Sequence, residues 1–164
     1  MDASQTITAI GIARQRLNFE DVLLTAIEQE SGFLGDVDDF NPFGIGLWTY
    51  DEPDHVQGLS GDVRRTWALE WLRTHARLIQ RVARRMGHDG PVTKFANDGN
   101  YGVEMTIYHS DYVHVRLTAQ VPSQLTCEMV PTGEVEHIPA RDVPVMERRC
   151  PESIFAGIEH EAVA

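Results

Sequence analysis

The sequence predicts an α+β domain, in which a long amphipathic helix packs on an antiparallel sheet of about four strands and two further helices precede it. Residues 102–130 alternate apolar and polar side chains in three runs separated by turn residues, which is typical of antiparallel strands with one buried face. Residues 62–87 carry one broad apolar stripe at helical spacing. Because a helix and a sheet that are each apolar on one side bury those sides together, we expect this helix to cover the sheet.

The length and charge of the chain limit its class. At 164 residues it is most simply one domain over residues 1–158, with an acidic segment 1–61, a helix-plus-sheet segment 62–158 and a frayed tail 159–164. The net charge of -11 speaks against nonspecific binding to duplex nucleic acid, which needs clustered Lys and Arg. Residues 62–87 hold seven Arg and two acidic residues, and we expect these Arg to pair with the acidic flanks rather than to form an exposed basic face.

Two helices are predicted before the sheet segment. Residues 4–17 have apolar side chains at loose helical spacing, and residues 19–31 have a clear apolar stripe. Asn18 is a suitable N-cap for the second helix, and Gly32 is a suitable residue to end it. We therefore expect a break between the two helices at Asn18.

Residues 32–61 are predicted to be mostly loop, because they contain six Gly, two Pro and six acidic side chains with no Lys or Arg. Within them, residues 43–50 are apolar and aromatic, and they favour either an edge strand or the lining of a pocket. In the long helix, His75 is predicted to be packed and hydrogen-bonded rather than a ligand. The apolar stripe of that helix consists of Val63, Trp67, Trp71, Leu72, His75, Leu78, Ile79, Val82 and Met86.

Further strands are predicted on both sides of residues 102–130. Residues 92–95 favour a first strand, and residues 97–100 its hairpin turn. A turn at residues 131–133 leads to a short strand at 134–138. The prolines at positions 139 and 144 then place residues 139–147 at a sheet edge or in a loop, since proline cannot donate a ladder hydrogen bond.

The N-terminal part of the chain suggests one candidate active site. The run LLTAIEQESGFLGDVDDFNPFGIGLW places Glu-Ser-Gly at the end of a helix and a Phe-Gly-Ile segment after a loop. Over about the first 50 residues it resembles the catalytic-glutamate region of lysozyme-like peptidoglycan hydrolases. The resemblance implies that Glu30 is a general acid kept protonated by an apolar wall such as Trp48, with Asp38, Asp36 or Asp39 as the second carboxylate. The alternative interpretation of Glu30 is an exposed acid at an ordinary helix end.

No metal site and no cofactor are predicted. Cys127 and Cys150 do not form a Cys-x-x-Cys pair, and His109, His114 and His137 lack the close paired spacing of zinc ligands. A disulfide would require residues 125–130 and 145–150 to pair, and two buried free thiols are favoured instead. We see no secretory signal and no membrane span, so the expected location is the cytoplasm.

The C-terminal two-thirds suggests an origin. The residues LTCEMVPTGE, then Val143-Pro144, then the closing RCPESI, are similar to small uncharacterised proteins of actinobacterial phages over roughly residues 62–156. In that group a basic amphipathic helix and several strands precede a Cys-Glu hairpin and a closing Cys-Pro. The resemblance implies origin and no reaction. For a phage-encoded protein, the expected cytoplasmic location is the host cytoplasm.

The function favoured by the sequence is binding of another macromolecule, most simply a host protein, without catalysis. No nucleophile elbow or glycine-rich phosphate loop appears, and Ser60 is better explained as a helix cap. The expected contact surface is an exposed aromatic segment rimmed by carboxylates, a composition suited to protein interfaces. Its residues are Phe40, Phe43, Trp48 and Tyr50. A peptidoglycan hydrolase using Glu30 is the alternative, a small-ligand pocket is a third option, and self-association of the chain is also open.

Overall fold

The computed structural model describes residues 2–31, 39–40, 45–97, 99–110 and 112–151, and it has the predicted α+β class. Four helices and seven strands lie in these ranges. In chain order they are α1 (Ala3–Ser31), β1 (Asp39–Phe40), β2 (Ile45–Thr49), α2 (Asp54–Gln57), α3 (Gly61–Arg85), β3 (Thr93–Ala96), β4 (Asn100–Ser110), β5 (Val113–Pro122), α4 (Ser123–Thr126), β6 (Glu128–Ile138) and β7 (Arg141–Arg149).

Five strands form the main sheet, in the order β1-β2-β5-β4-β3. The pairs β3–β4 and β4–β5 are antiparallel, as predicted, but β2 runs parallel to β5. The sheet is therefore mixed rather than purely antiparallel. The cause is the connection, because the chain leaves β2, passes through α3, β3 and β4, and only then reaches β5, and a parallel pair needs such a long crossover.

Helix α3 covers one face of this sheet at strands β4 and β5, as predicted. Its most buried face contains small and aliphatic side chains at spacings of three and four residues: Ala68, Leu72, Ala76, Ile79 and Ala83. Alanine lets the helix backbone approach the sheet closely, and four bulky residues of the predicted stripe are buried with it: Leu72, Leu78, Ile79 and Val82. Trp67 and Val63 belong to that stripe, yet both are exposed.

The two predicted N-terminal helices are one continuous helix, α1. Asn18 lies inside it rather than at a cap, because no Gly or Pro interrupts residues 12–31 and Asn costs well under about 1 kcal/mol in a helix interior. The C-terminal half of α1 packs on the body through Phe19, Leu23, Ala26 and Ile27.

Arginines of α3 pair with acidic residues in other parts of the chain, as predicted. These pairs are Arg64 with Glu52, Arg65 with Glu128, and both Arg81 and Arg85 with Glu30.

Strands β6 and β7 form a separate two-stranded sheet, the β6–β7 hairpin. The third predicted run therefore does not join the main sheet, since Ser123–Thr126 is helical and turns the chain away before β6 begins. The predicted turn at residues 131–133 lies at a bulge within β6, and Pro144 pairs with Val135 in β7. Proline is tolerated there because each strand of a two-stranded sheet is an edge strand.

Cys127 and Cys150 form a disulfide at the base of the β6–β7 hairpin. The expectation of two free thiols is therefore wrong. The bond forms because Glu128 of β6 pairs with Arg149 of β7. Cys127 directly precedes Glu128 and Cys150 directly follows Arg149, so the pairing places the two cysteines next to each other. The Cα atoms of the two cysteines are 4.2 Å apart.

Candidate functional site: an aromatic groove

A groove lies between the N-terminal half of α3 and the segment that follows β2. Its volume is about 420 Å³. We call it the aromatic groove, and its lining residues are Tyr50, Asp51, Pro53, Thr66, Trp67, Glu70, Trp71 and Thr74.

Helix α3 supplies one wall of the groove. Trp67 and Trp71 are one turn apart and therefore lie on the same side of the helix. Trp71 stacks on His75, with ring centroids 3.9 Å apart, and His75 Nδ1 lies 2.9 Å from the Trp71 carbonyl oxygen. This arrangement confirms the prediction that His75 is packed and hydrogen-bonded, and it fixes the position of the Trp71 ring.

The end of β2 supplies the opposite wall. The Tyr50 amide donates a hydrogen bond of 3.0 Å to the Gln120 carbonyl oxygen and so extends the β2–β5 pairing by one residue. The Tyr50 ring meets Trp71 edge-on, with centroids 5.5 Å apart. The groove is thus built by two elements that the sheet and α3 hold in place.

The segment after Tyr50 is anchored to α3 by an ion pair. Arg64 Nη2 lies 2.9 Å from Glu52 Oε1, and Arg64 Nε donates to the same carboxylate at 3.1 Å. His55 of α2 meets the Trp67 ring edge-on at a centroid distance of 5.2 Å. Trp67 is nevertheless 43% exposed, so it offers a largely free aromatic surface at the mouth of the groove.

Two carboxylates border these rings. Asp51 and Glu70 both line the groove and are exposed, and Glu70 also contacts Arg73 three residues further along α3. An aromatic face attracts a cation through its quadrupole, and a nearby carboxylate adds to that attraction. The groove therefore has the chemistry to hold a positively charged side chain that carries an apolar stem.

The Tyr50 hydroxyl is a polar group without a counterpart in the described part of the chain. It is buried and has no hydrogen-bond partner there. Burial raises the pKa of Tyr50, the charge of Glu52 raises it further, and Arg64 acts in the opposite direction. The hydroxyl therefore stays protonated at neutral pH. A buried unpaired hydroxyl costs about 1–3 kcal/mol, so an acceptor brought by a ligand would be stabilised here.

The predicted aromatic contact segment has a different environment from the one expected. Trp48 is 1% exposed and Tyr50 is 8% exposed, so these two residues do not form an exposed patch. The reason is that β2 lies between β1 and β5, and its alternation turns both rings toward α3, where Trp48 lies against His75 and Tyr50 against Trp71. Tyr50 still lines the groove, in agreement with the pocket alternative. The side chains of Phe40 and Phe43 lie outside the described residues.

Glu30, the candidate general acid, forms an ion-pair junction between α1 and α3. Arg81 Nε lies 3.0 Å from Glu30 Oε2, and Arg85 Nε contacts the other oxygen. The hydrogen bond from Arg85 and that from Arg81 hold the pKa of Glu30 below its usual value, against the opposing effect of burial. A general acid needs a raised pKa, so this environment opposes the hydrolase alternative. Asp38 lies outside the described residues.

The remaining candidates do not converge on one place. His109 lies against Phe19, His114 lies against Tyr108, and His137 contacts Asp142 in the β6–β7 hairpin. In the described ranges no three His, Cys, Asp or Glu side chains form a group suited to a metal ion. The same ranges contain no helix with the length and apolar character that crossing a bilayer requires.

Sequence reasoning missed Trp67 and Trp71 as site residues because it counted them as core. The signal that identifies them is the position of the alanines. Ala68, Ala76 and Ala83 mark the close face of α3, and each Trp precedes a buried residue by one position, which rotates it by about 100° away from that face.

Comparison with protein-family models, with curated proteins and with solved structures found no match to this chain. The similarity to actinobacterial phage proteins therefore stays a prediction.

Proposed function

We propose that this chain is a non-enzymatic protein that binds another protein through the aromatic groove. The observation that carries the proposal is Trp67, a large aromatic side chain that is half exposed beside Trp71 and Tyr50 in a preformed concave site. Tryptophan and tyrosine dominate the energetics of protein interfaces when a partner covers them. The site thus combines an anchor surface with a shape that accepts one side chain.

The partner that fits this groove presents an arginine or lysine from a basic surface. The aliphatic stem of such a side chain packs on Trp67 and Trp71, while its charge lies near Asp51 and Glu70. The net charge of -11 favours the approach of a basic partner over that of an acidic one. A host protein remains the proposed partner, and a phage or actinobacterial origin remains the proposed source.

The cytoplasm also remains a proposal, and the disulfide gives it a direct test. Disulfides are rare in reducing compartments, so a cytoplasmic location would require the Cys127–Cys150 bond to be reduced in the cell. Rapid alkylation of intact cells followed by mass spectrometry measures that state. A fully oxidised pair would contradict the cytoplasmic assignment.

The groove is tested with short synthetic peptides that are basic, neutral or acidic and otherwise matched in apolar content. We expect the basic peptides to bind at least about tenfold more tightly than the acidic ones, because of cation–π and carboxylate contacts. Binding should shift the indole N–H resonance of Trp67 in NMR spectra. Trp67→Ala should lower the affinity by about tenfold or more.

The matched control is Tyr108→Ala, which removes an exposed aromatic ring from β4, away from the groove. It should leave peptide affinity unchanged. The same three proteins then serve as baits for host lysate, and a partner retained by wild type and Tyr108→Ala but lost by Trp67→Ala identifies the groove as the contact surface. Equal affinity for all peptides, together with full binding by Trp67→Ala, would refute the proposal.

A further inference from the structure

The N-terminal half of α1 extends beyond the packed body. Residues 3–18 are exposed with the exception of Ile12, and burial begins at Phe19. This half meets the body at Ile12 and through a hydrogen bond of 3.3 Å from Ser110 Oγ to Gln15 Oε1. About four turns of helix are therefore offered to solvent.

The start of this helix is fixed by local hydrogen bonds. The Gln5 amide donates to Asp2 Oδ1 at 2.8 Å, and the Asp2 amide donates to Gln5 Oε1 at 3.0 Å. This reciprocal pair is a capping box, which stabilises a helix N-terminus. The extended half is thus capped at one end and continuous with packed helix at the other, so it presents a defined face.

That face is apolar. Ile7, Ile10 and Leu17 are 70%, 48% and 63% exposed. Because seven residues make almost two full turns, Ile10, Leu17 and the half-buried Leu24 lie nearly in line along the helix. The line lies roughly opposite the side that packs on the body through Phe19 and Leu23. Exposed apolar stripes of this kind mark association surfaces.

The distribution of charge along α1 indicates what covers the apolar line of Ile10, Leu17 and Leu24. Residues 3–17 contain Arg14 and Arg16 and no acidic residue, whereas residues 18–31 contain four acidic residues and no basic one. A second copy of α1 in the opposite direction places the basic half of each helix against the acidic half of the other. A parallel copy would place like charges together, and antiparallel helix dipoles also attract.

We propose that two copies of this chain form a symmetric dimer through an antiparallel pair of α1 helices. With Leu17 at the two-fold axis, Ile10 of one copy faces Leu24 of the other, and Arg14 faces Glu20 of the other. Both contacts occur twice, as an isologous interface requires. This interface is separate from the aromatic groove.

Sedimentation equilibrium and light scattering on the full chain test the dimer. We expect the wild type to be dimeric and Leu17→Glu to raise the dissociation constant by about tenfold or more, since a charge at the axis meets its own copy. The matched control is Val22→Glu, which alters an apolar residue of similar exposure, 51% against 63% for Leu17, on another side of α1. It should leave the dissociation constant unchanged.

Charge reversal tests the orientation even if Leu17→Glu disturbs the helix. Arg14→Glu and Glu20→Arg should each weaken the dimer by about tenfold, because each change reverses two symmetric contacts. The double variant should return to within about twofold of wild type, since the pairs are restored in exchanged positions. A monomeric wild type at high concentration, or a double variant weaker than both single ones, would overturn the proposal.

Discussion

The five-stranded sheet and the β6–β7 hairpin come from the same kind of sequence, a period-two alternation, yet they are stabilised in different ways. Strands β4 and β5 bury Val103, Val115 and Leu117 completely under α3. In the hairpin, Met129 and Met146 remain about half exposed, and the two strands are joined at their base by the disulfide. The comparison shows that alternation identifies a strand but does not reveal whether anything covers it.

The sheet and the hairpin therefore depend on different interactions for their stability. A two-stranded sheet is marginally stable alone, whereas a sheet under a helix gains about 1.5–3 kcal/mol from each large buried side chain. We therefore expect the sheet to depend on packing space and the hairpin to depend on its covalent link. Two measurements separate these dependences, and a third measures the ion pairs that join α1 to α3.

The largest effect is expected at Gly102 in β4. A Cβ atom there would overlap the Ala119 carbonyl oxygen and would lie 2.7 Å from Phe95 Cζ. Because the first of these atoms is backbone, the sheet cannot relieve the clash cheaply, and Gly102→Ala should lower the free energy of unfolding by about 4 kcal/mol. Urea titration followed by circular dichroism measures this loss.

Gly99→Ala is the control for that experiment, because a Cβ atom at Gly99 meets nothing within 4 Å. It should change stability by less than about 0.5 kcal/mol. If the two variants were equally stable, packing space would not be what limits the sheet.

The second effect concerns the disulfide. Replacing both Cys127 and Cys150 with Ser removes the closure of the hairpin, a constraint of about 3 kcal/mol for a loop of this size. Hydrogen exchange should show that amides of β6 and β7 lose protection while those of β4 and β5 keep theirs. Loss of protection in both regions together would show that the hairpin and the sheet unfold as one unit.

The smallest effect is expected at Glu30, where side-chain charges rather than packing join α1 to α3. Glu30→Gln should cost about 1 kcal/mol at neutral pH, since both arginine partners are substantially exposed. The exposed Glu28 on the same helix provides the control, and Glu28→Gln should be close to neutral.

The contribution of Glu30 to the free energy of unfolding should also depend on pH. The pKa of Glu30 is lowered in the folded chain, so its contribution is fully present above the unfolded-state pKa of about 4.3 and is lost as the pH falls through the folded-state value. Denaturation curves of wild type and Glu30→Gln should therefore converge in acid. A difference that stays constant down to pH 2–3 would mean that the ion pair is not its source.

Much of the fold could be predicted because its signals are local. The alternation around Val103 and Val115 and the stripe on α3 depend on neighbours within a few residues. Gly87 likewise ends α3 in the positive-φ conformation that glycine favours. The parallel register, in which Ile45 pairs with Arg116, depends on contacts between distant segments and leaves no trace in either segment alone.

The site could be predicted only in part for a similar reason. Tyr50 lies within the predicted contact segment. The sequence predicts Trp67 and Trp71 as core residues, because hydrophobicity alone does not show on which side of a helix a ring lies. The disulfide was missed because it follows from the register of β6 with β7, in which Glu128 meets Arg149.

The parallel pairing of β2 with β5 also has a kinetic consequence. The turns that join β3, β4 and β5 close short loops. Strand β2 pairs with β5 across the whole intervening chain, so the entropic cost of closing that loop is larger. In a mutational analysis of folding rates, we therefore expect low folding φ-values, the ratios of activation to equilibrium free-energy changes, for substitutions in β2. Higher values are expected at the β4–β5 turn. Since β2 delivers Tyr50 to its place beside Trp71, we expect the aromatic groove of a newly made chain to be completed only at the end of folding.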